Sequence, residues 1–113
     1  MGVADALIQT SLLGEALDNG PAVVFVADED RRYIAVSKAA CDLLGYTREE
    51  LVALRVDDVA ENVPGWTEME HGGPVVGKAE LTRKDGTTVT FRYVAGDTTV
   101  AGMPVFVSVG IPD

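Results

Sequence analysis

Thiol and imidazole side chains are almost missing from this sequence, which contains one cysteine, Cys41, and one histidine, His71. A single cysteine excludes an intrachain disulfide and is typical of proteins that work in a reducing compartment. Two soft ligands are also too few for a structural zinc site, which uses four. We therefore predict a cytoplasmic chain that folds without a disulfide or a bound metal.

Basic residues are scarce as well: 9 Lys and Arg stand against 18 Asp and Glu, and the net charge is -9 at pH 7. Binding to nucleic acid needs clustered Lys and Arg to neutralise phosphates, so we predict no direct nucleic-acid contact. The longest apolar run, residues 22–27, is far shorter than the roughly 20 residues that cross a bilayer. The first residues also lack the basic and apolar regions of a secretory signal, and we expect no membrane partner.

The composition that remains, 47% hydrophobic and 24% charged over 113 residues, is that of one globular domain. Residues 5–17 predict an amphipathic helix, in which Leu13 and Leu17 are four positions apart and share a side. The sequence Asp18-Asn19-Gly20-Pro21 ends it. Because a single helix of this length is marginal in water, its apolar side must pack on something.

The middle of the chain alternates short strands and short helices. Two apolar runs separated by acidic residues predict a hairpin, and Ser37 and Gly45 are suited to begin and end the helix that follows. Thr47 and Glu50 have the spacing of a capping box. The predicted elements are strands at 23–27 and 32–36, a helix at 38–44, a helix after Thr47, and helical turns at 57–60 and 66–70.

The last third of the chain has the pattern of three strands. Asp85-Gly86 predicts a tight hairpin turn, and residues 101–103 predict another. Within the middle strand, Phe91 and Tyr93 alternate with the outward-facing Arg92 and Val94. The predicted strands are 75–83, 87–95 and 104–111.

These elements, read with their residues, resemble the PAS domain family. Val24-Phe25-Val26-Ala27-Asp28 is similar to the family's first strand, and Leu44-Gly45-Tyr46-Thr47-Arg48-Glu49-Glu50-Leu51 to its Leu-Gly-Tyr-x-x-Glu-Glu-Leu turn. Arg83-Lys84-Asp85-Gly86-Thr87 is similar to its Lys-Asp-Gly hairpin. The similarity extends from residue 21 to about residue 110. One departure is Ser37, where the family often has Asn, although Ser also caps helices.

The resemblance implies an α+β fold, with a five-stranded antiparallel sheet and short helices on one face. It divides the chain into an N-terminal helix at 1–20 and a PAS-like domain at 21–111. In the family, ligands or cofactors lie between the sheet and the helices. The N-terminal helix often packs on the outer face and helps to build a dimer, which would give a partner to Leu7, Leu12, Leu13, Leu17 and the outward Val94.

Two cofactors known in the family are disfavoured by the residues present. Flavin photosensors carry a reactive Cys in a helix that corresponds to residues 54–61 and a Gln on the last strand, and neither occurs here. Cys41, on an earlier helix, reads as a small buried apolar residue. Haem binding would have His71 as its only possible axial ligand. Gly72-Gly73-Pro74 follows it directly, so we expect His71 at a helix end, where histidines are usually solvated.

Catalysis is not predicted either. The carboxylates read as turn and cap residues, and no motif brings Ser37, Ser108 and His71 together as a nucleophilic set. We therefore predict that the chain is not an enzyme.

A hydrophobic pocket between helices and sheet is the remaining candidate site. Two interpretations stay open: the residues line a ligand cavity, or they fill an ordinary core. Trp66 is the most informative, because a buried indole N–H needs a partner. The candidate residues are Phe25, Leu44, Val56, Val59, Trp66, Met69, Leu81, Phe91, Tyr93 and Val107.

Two functional hypotheses follow. In the first, the chain is a sensor that binds a small molecule and regulates an attached effector domain or a partner protein. In the second, it is a ligand-free dimerisation or protein-interaction module with a filled core. In either case we expect a homodimer, with the effector elsewhere in a larger protein.

Overall fold

The structure, a computed structural model, describes residues 3–60 and 74–113, with side chains from Ala6 onward. The predicted helical turn at 66–70 lies outside the described residues, and so do Trp66, Met69 and His71. None of the helices within the described part of the chain has the length and hydropathy needed to span a membrane.

Four helices and five strands form the described fold, and their positions agree with the predicted order. The strands make one antiparallel sheet in the order β2-β1-β5-β4-β3. The predicted α+β fold is therefore confirmed. The elements are α1 (Val3–Asn19), β1 (Val23–Ala27), β2 (Tyr33–Val36), α2 (Lys38–Leu44), α3 (Arg48–Leu51), α4 (Val56–Val59), β3 (Val75–Thr82), β4 (Thr88–Val100) and β5 (Met103–Pro112).

The predicted cap residues set the ends of the short helices. The Ser37 hydroxyl accepts a hydrogen bond from the Ala40 amide, and Gly45 ends α2 in the left-handed conformation, with φ of 77°. Thr47 and Glu50 form the complete capping box of α3. Because these interactions are local, they can be predicted from a few neighbouring residues.

Strand β4 is longer than predicted. It runs to Val100, five residues beyond the predicted end at Ala95, and pairs with β5 from Phe91 to Val100. Gly96 and Asp97 disfavour strand structure on their own. Ala101 and Gly102, both with positive φ, make a two-residue turn that places Val100 opposite Met103. The hairpin geometry therefore overrides the local preference of Gly96 and Asp97.

The core lies between the inner face of the sheet and helices α2, α3 and α4. Leu44 and Leu51 from the helices are fully buried there, together with Phe25 and Phe91 from the sheet. Burial alternates along β4 as predicted, since Phe91, Tyr93 and Ala95 are buried whereas Arg92 and Val94 are exposed.

Helix α1 contributes little to this core. Its residues from Ala6 to Ala16 are exposed, and its main contacts are made near its C-terminal end, to α2. There, Asp18 accepts a hydrogen bond from Arg48 at 2.6 Å. The apolar side of α1 is thus uncovered within the described chain.

Candidate functional site

A cavity lies between helix α4 and the inner face of the sheet. Its volume is about 50 Å³. All five strands border it, and the helical side is supplied by Val56 and Ala60. Its lining consists of Phe25, Ala27, Tyr33, Val56, Ala60, Ala79, Leu81, Phe91, Tyr93, Ala95, Phe106, Val107 and Ser108.

Helix α4 is attached to both edges of the sheet. At its start, the Val56 amide donates to the Arg31 carbonyl at 2.8 Å, and Arg31 also donates to Asp57 at 2.9 Å. At its end, Ala60 forms an isolated antiparallel bridge with Leu81 of β3. The helix therefore links the β2 edge to the β3 edge directly over the cavity.

Four aromatic rings form one side of the cavity. Phe25 lies edge-on to Phe91, with ring centroids 5.6 Å apart, and is tilted against Tyr33 at 5.3 Å. Phe91 stacks with Tyr93 at 5.7 Å. Offset and edge-to-face pairs of this kind stabilise a core beyond their burial, so the rings hold one another in place.

Two glycines make room for these rings on the sheet. A Cβ atom at Gly77 would lie 2.9 Å from the Tyr93 hydroxyl, and one at Gly110 would overlap the Arg92 carbonyl oxygen and also lie 2.8 Å from the Phe91 ring. Both distances are too short for a real Cβ contact. Glycine at position 77 therefore leaves room for the Tyr93 ring, whereas Gly110 is required first by the close approach of the β4 main chain and also leaves room for Phe91.

The space itself comes from small residues. Ala27, Ala79 and Ala95 face the cavity from three strands, and Ala60 faces it from the end of α4. A larger apolar residue at any of these positions would occupy part of the volume. The cavity is thus the consequence of placing alanines beside large rings.

Hydroxyl groups are the polar side-chain atoms of the lining, on Tyr33, Tyr93 and Ser108. Ser108 lies in the central strand, opposite Phe25 on one side and Ala95 on the other. Burial raises the pKa of Tyr33, and the nearby Asp57 and Asp58 carboxylates raise it further. Burial also raises the pKa of Tyr93. Both phenols are therefore neutral at physiological pH.

The predicted pocket residues separate into three groups. Leu44 and Val59 are buried in the same core but do not border the cavity. Trp66 and Met69 lie outside the described residues. The residues that border the cavity are Phe25, Val56, Leu81, Phe91, Tyr93 and Val107.

Val107 borders the cavity in a different way from the others. It pairs with Val26, whereas its neighbours Phe106 and Ser108 pair with Ala27 and Phe25 on the inner face. Alternation along the strand points its side chain to the outer face, so the cavity meets its main chain.

Several lining residues were not predicted. Ala27, Ala79 and Ala95 each lie two positions from a predicted residue on the same strand, so strand alternation was a usable signal for them. Strand alternation gave no comparable signal for Tyr33 and Ser108. Their position depends on how β2 and β5 pair with β1.

A second apolar surface lies on the outer face of the sheet. Val76, Val94, Val109 and Val24 pair across four neighbouring strands and form one row, which we call the valine row. Val76 is 84% exposed and Val94 is 50% exposed. At the other edge of the sheet, a groove between α1 and the outer face is bordered by Leu17 and Ile34.

The predicted dimerisation residues are all exposed in the single chain. Leu7 and Leu13 are more than 60% exposed, and Leu12, Leu17 and Val94 are exposed to smaller extents. They do not form one patch: the leucines follow α1, whereas Val94 is in the valine row. The structure contains one chain and leaves their predicted role untested.

The cysteine and the carboxylates do not form a metal-binding cluster in the described chain. Cys41 is partly buried on α2, and burial raises the pKa of its thiol, although Arg48 opposes the change. Within residues 3–60 and 74–113, no three His, Cys, Asp or Glu side chains are arranged to hold a metal ion.

Comparison with known families and structures gives a consistent result. A family model described as PAS domain matches residues 11–79, from within α1 to β3. No curated protein matches the chain in sequence.

Solved structures share the fold at low sequence identity. The PAS domain of an HTR-like protein from Haloarcula marismortui has a TM-score of 0.80 and 20% identity, with 97% of each chain covered. A domain of a sensory box sensor histidine kinase/response regulator from Geobacter sulfurreducens has a TM-score of 0.79 and 20% identity, covering 97% of this chain and 99% of that one. The PAS domain of nitrogen regulation protein NR(II) from Vibrio parahaemolyticus has a TM-score of 0.77 and 11% identity, covering 90% and 98%.

Proposed function

Because this chain belongs to the PAS domain family, we propose that it is a sensory, non-catalytic module that binds a small molecule in the cavity under α4. In this proposal it regulates an effector domain or partner protein present elsewhere in the full-length protein. The observation that carries the proposal is the apolar cavity of about 50 Å³, which alanines leave open beside a rigid aromatic cluster.

The attachment of α4 suggests how binding is relayed. The helix contacts the β1–β2 turn through Arg31 and β3 through Leu81, so a molecule beneath it would change the distance between the two sheet edges. A ligand shifts a protein only between states to which it binds differently. We propose that the liganded state has α4 raised and the sheet edges further apart.

Nuclear magnetic resonance with a library of small molecules tests this function. We expect at least one compound to change the chemical shifts of cavity residues such as Phe25, Ala95 and Ser108. The same compound should also shift Arg31 and Leu81 at the two attachments of α4. Compounds that bind only outside the cavity, or a complete absence of binders, would contradict the proposal.

A second function, dimerisation without a ligand, is favoured by the exposure of α1. Burying a leucine contributes about 1.5–3 kcal/mol, so the uncovered Leu7, Leu12 and Leu13 are a substantial source of binding energy. A second copy of the chain offers the same helix and the same outer face, as a symmetric dimer requires. In this proposal, residues 1–20 serve dimerisation and residues 21–111 form the PAS domain.

Sedimentation equilibrium over a range of concentrations tests dimerisation separately from ligand binding. A dimer mass that gives way to the monomer on dilution supports it, and a monomer mass at every concentration contradicts it. The remaining parts of the proposal, a cytoplasmic location and no direct contact with nucleic acid or membrane, are expected from the charge and composition.

A further inference from the structure

The lining of the cavity also restricts the kind of molecule it can hold. Resting on the proposed function, we infer that the cavity binds a small uncharged molecule, apolar apart from at most one hydrogen-bonding group, and rejects anions of the same size. The inference depends on the charge, the size and the polar groups of the site.

Charge is the first constraint. The described lining contains no Asp, Glu, Lys, Arg or His side chain. An ion that enters an apolar site without a partner loses its hydration and gains no ion pair, which costs many kcal/mol. A carboxylate or phosphate group would meet aromatic rings and alanine methyl groups here. The cavity therefore discriminates against ions through desolvation.

Size is the second constraint. A cavity needs about 10–15 Å³ for each water-sized particle, so 50 Å³ accommodates roughly three to five heavy atoms. The limit is set by Ala27, Ala60, Ala79 and Ala95, each of which would remove space if enlarged. A molecule as large as a nucleotide would not fit within this volume.

The hydroxyl groups are the third constraint. Ser108 lies in the floor of the cavity, and Tyr33 lies at its β2 side. Each hydroxyl can pair with one hydrogen-bonding atom of a ligand, but neither carries a charge that would compensate the desolvation of an ion. A molecule with one carbonyl or hydroxyl group and a small apolar remainder fits this arrangement.

Three probes test the inference: xenon, acetone and acetate. Xenon is purely apolar, whereas acetone and acetate have the same size and shape but differ in charge. Titration of each into the protein at constant ionic strength, followed by methyl and aromatic chemical shifts, measures binding at Ala27, Ala79, Ala95 and Phe91. We expect xenon and acetone to shift these signals in a saturable manner, and acetate to bind at least tenfold more weakly than acetone.

Two variants test whether xenon binds in this cavity. Ala95→Val adds two methyl groups inside the cavity, and we expect it to weaken xenon binding at least tenfold. Ala35→Val adds the same groups to an exposed strand position outside the cavity, and binding should be unchanged. Equal loss of binding in both variants would overturn the assignment to this cavity.

The outcomes separate this inference from the proposed function. Saturable shifts with acetate as large as those with acetone would overturn the ligand class and leave small-molecule sensing intact. If neither xenon nor acetone gives a saturable shift, the proposed ligand class is also overturned. If the compound library then yields a larger cavity ligand, the proposed function stands; if it yields none, both fail.

Discussion

The two faces of the sheet are built from the same strands but meet different surroundings. On β4, Phe91 and Tyr93 face inward and are buried, whereas Val94 between Tyr93 and Ala95 faces outward and is half exposed. The inner face is covered by helices of its own chain. The valine row on the outer face is equally apolar, but its burial is uneven: Val76 and Val94 are exposed, whereas Val24 is buried within the described chain.

This difference is the basis for proposing a separate function for each face. The inner face is partly covered by α4 and retains a half-open space, which suits a small ligand. The outer face and α1 present apolar groups to solvent, which suits a protein partner. A change on the inner face should therefore alter folding or ligand binding, whereas a change on the outer face should alter association.

The largest expected effect comes from Phe91→Ala. It removes a buried ring that contacts Phe25 and Tyr93, so we expect the free energy of unfolding to fall by about 3–5 kcal/mol. Val94→Ala, on the opposite face of the same strand, should cost about 0.5 kcal/mol. Urea denaturation of both variants measures the contrast, and similar losses would contradict the division between the faces.

The next largest effect concerns Ser37, which joins β1 to α2. Its hydroxyl accepts hydrogen bonds from the Val24 and Ala40 amides at 3.0 and 3.3 Å and donates to the Ala22 carbonyl at 3.0 Å. Ser37→Ala leaves these buried groups without this partner, and we expect a loss of about 1–3 kcal/mol. Ser37→Asn keeps a helix cap, so it should retain more stability in the same urea experiment. Equal stability of the alanine variant and the parent would rule out this role.

The outer surface is tested by replacing Leu13 and Leu17 with Glu. Because Leu13 is exposed in the single chain and Leu17 is only partly covered, we expect the monomer to keep its stability within about 0.5 kcal/mol. The dimer should weaken strongly, since burying two carboxylates at an apolar contact is costly. Sedimentation equilibrium provides the measurement. Unchanged association of the double variant would exclude α1 from the dimer contact.

The smallest effect is expected from the ion pair between Lys84 and Glu50, at 2.6 Å. The hydrogen bond from Lys84, together with that from the Thr47 amide, lowers the pKa of Glu50 below its ordinary 4.5. A carboxyl group whose pKa is lower in the folded state than in the unfolded state stabilises the fold at pH values above the unfolded-state pKa. This contribution disappears as the pH falls through the folded-state pKa. We therefore expect stability to decrease below about pH 4.5.

Lys84→Met should make that decrease smaller without abolishing it, because the pKa values of Asp85 and Asp113 are also lowered. Urea denaturation at several pH values, for parent and variant, measures the difference. Identical pH dependence in the two proteins would show that the ion pair makes no contribution in solution.

Local signals in the sequence were sufficient to predict most of the fold. Ser37, Gly45, Thr47 and Glu50 act on their immediate neighbours, and the alternation along β4 depends only on strand geometry. The extension of β4 through Gly96 was missed because pairing with β5, which is non-local, stabilises it.

The cavity was predicted less completely, for a physical reason. Large apolar residues such as Phe25 and Phe91 are conspicuous in a sequence, whereas a cavity is defined by the small residues opposite them. Ala27 and Ala95 look unremarkable until the register places them beside the rings. Leu44 illustrates the converse, since it is equally apolar but lies in the filled part of the core.

The stability of Ala95→Val tests most directly whether the inner face contains usable space. If the cavity is open, the two added methyl groups enter it, and the free energy of unfolding stays the same or rises. If the inner face is instead fully packed, they crowd the core and destabilise the protein by about 1–3 kcal/mol. Urea denaturation of the ligand-free protein distinguishes the two results: our account predicts no loss, and a loss of that size would contradict it.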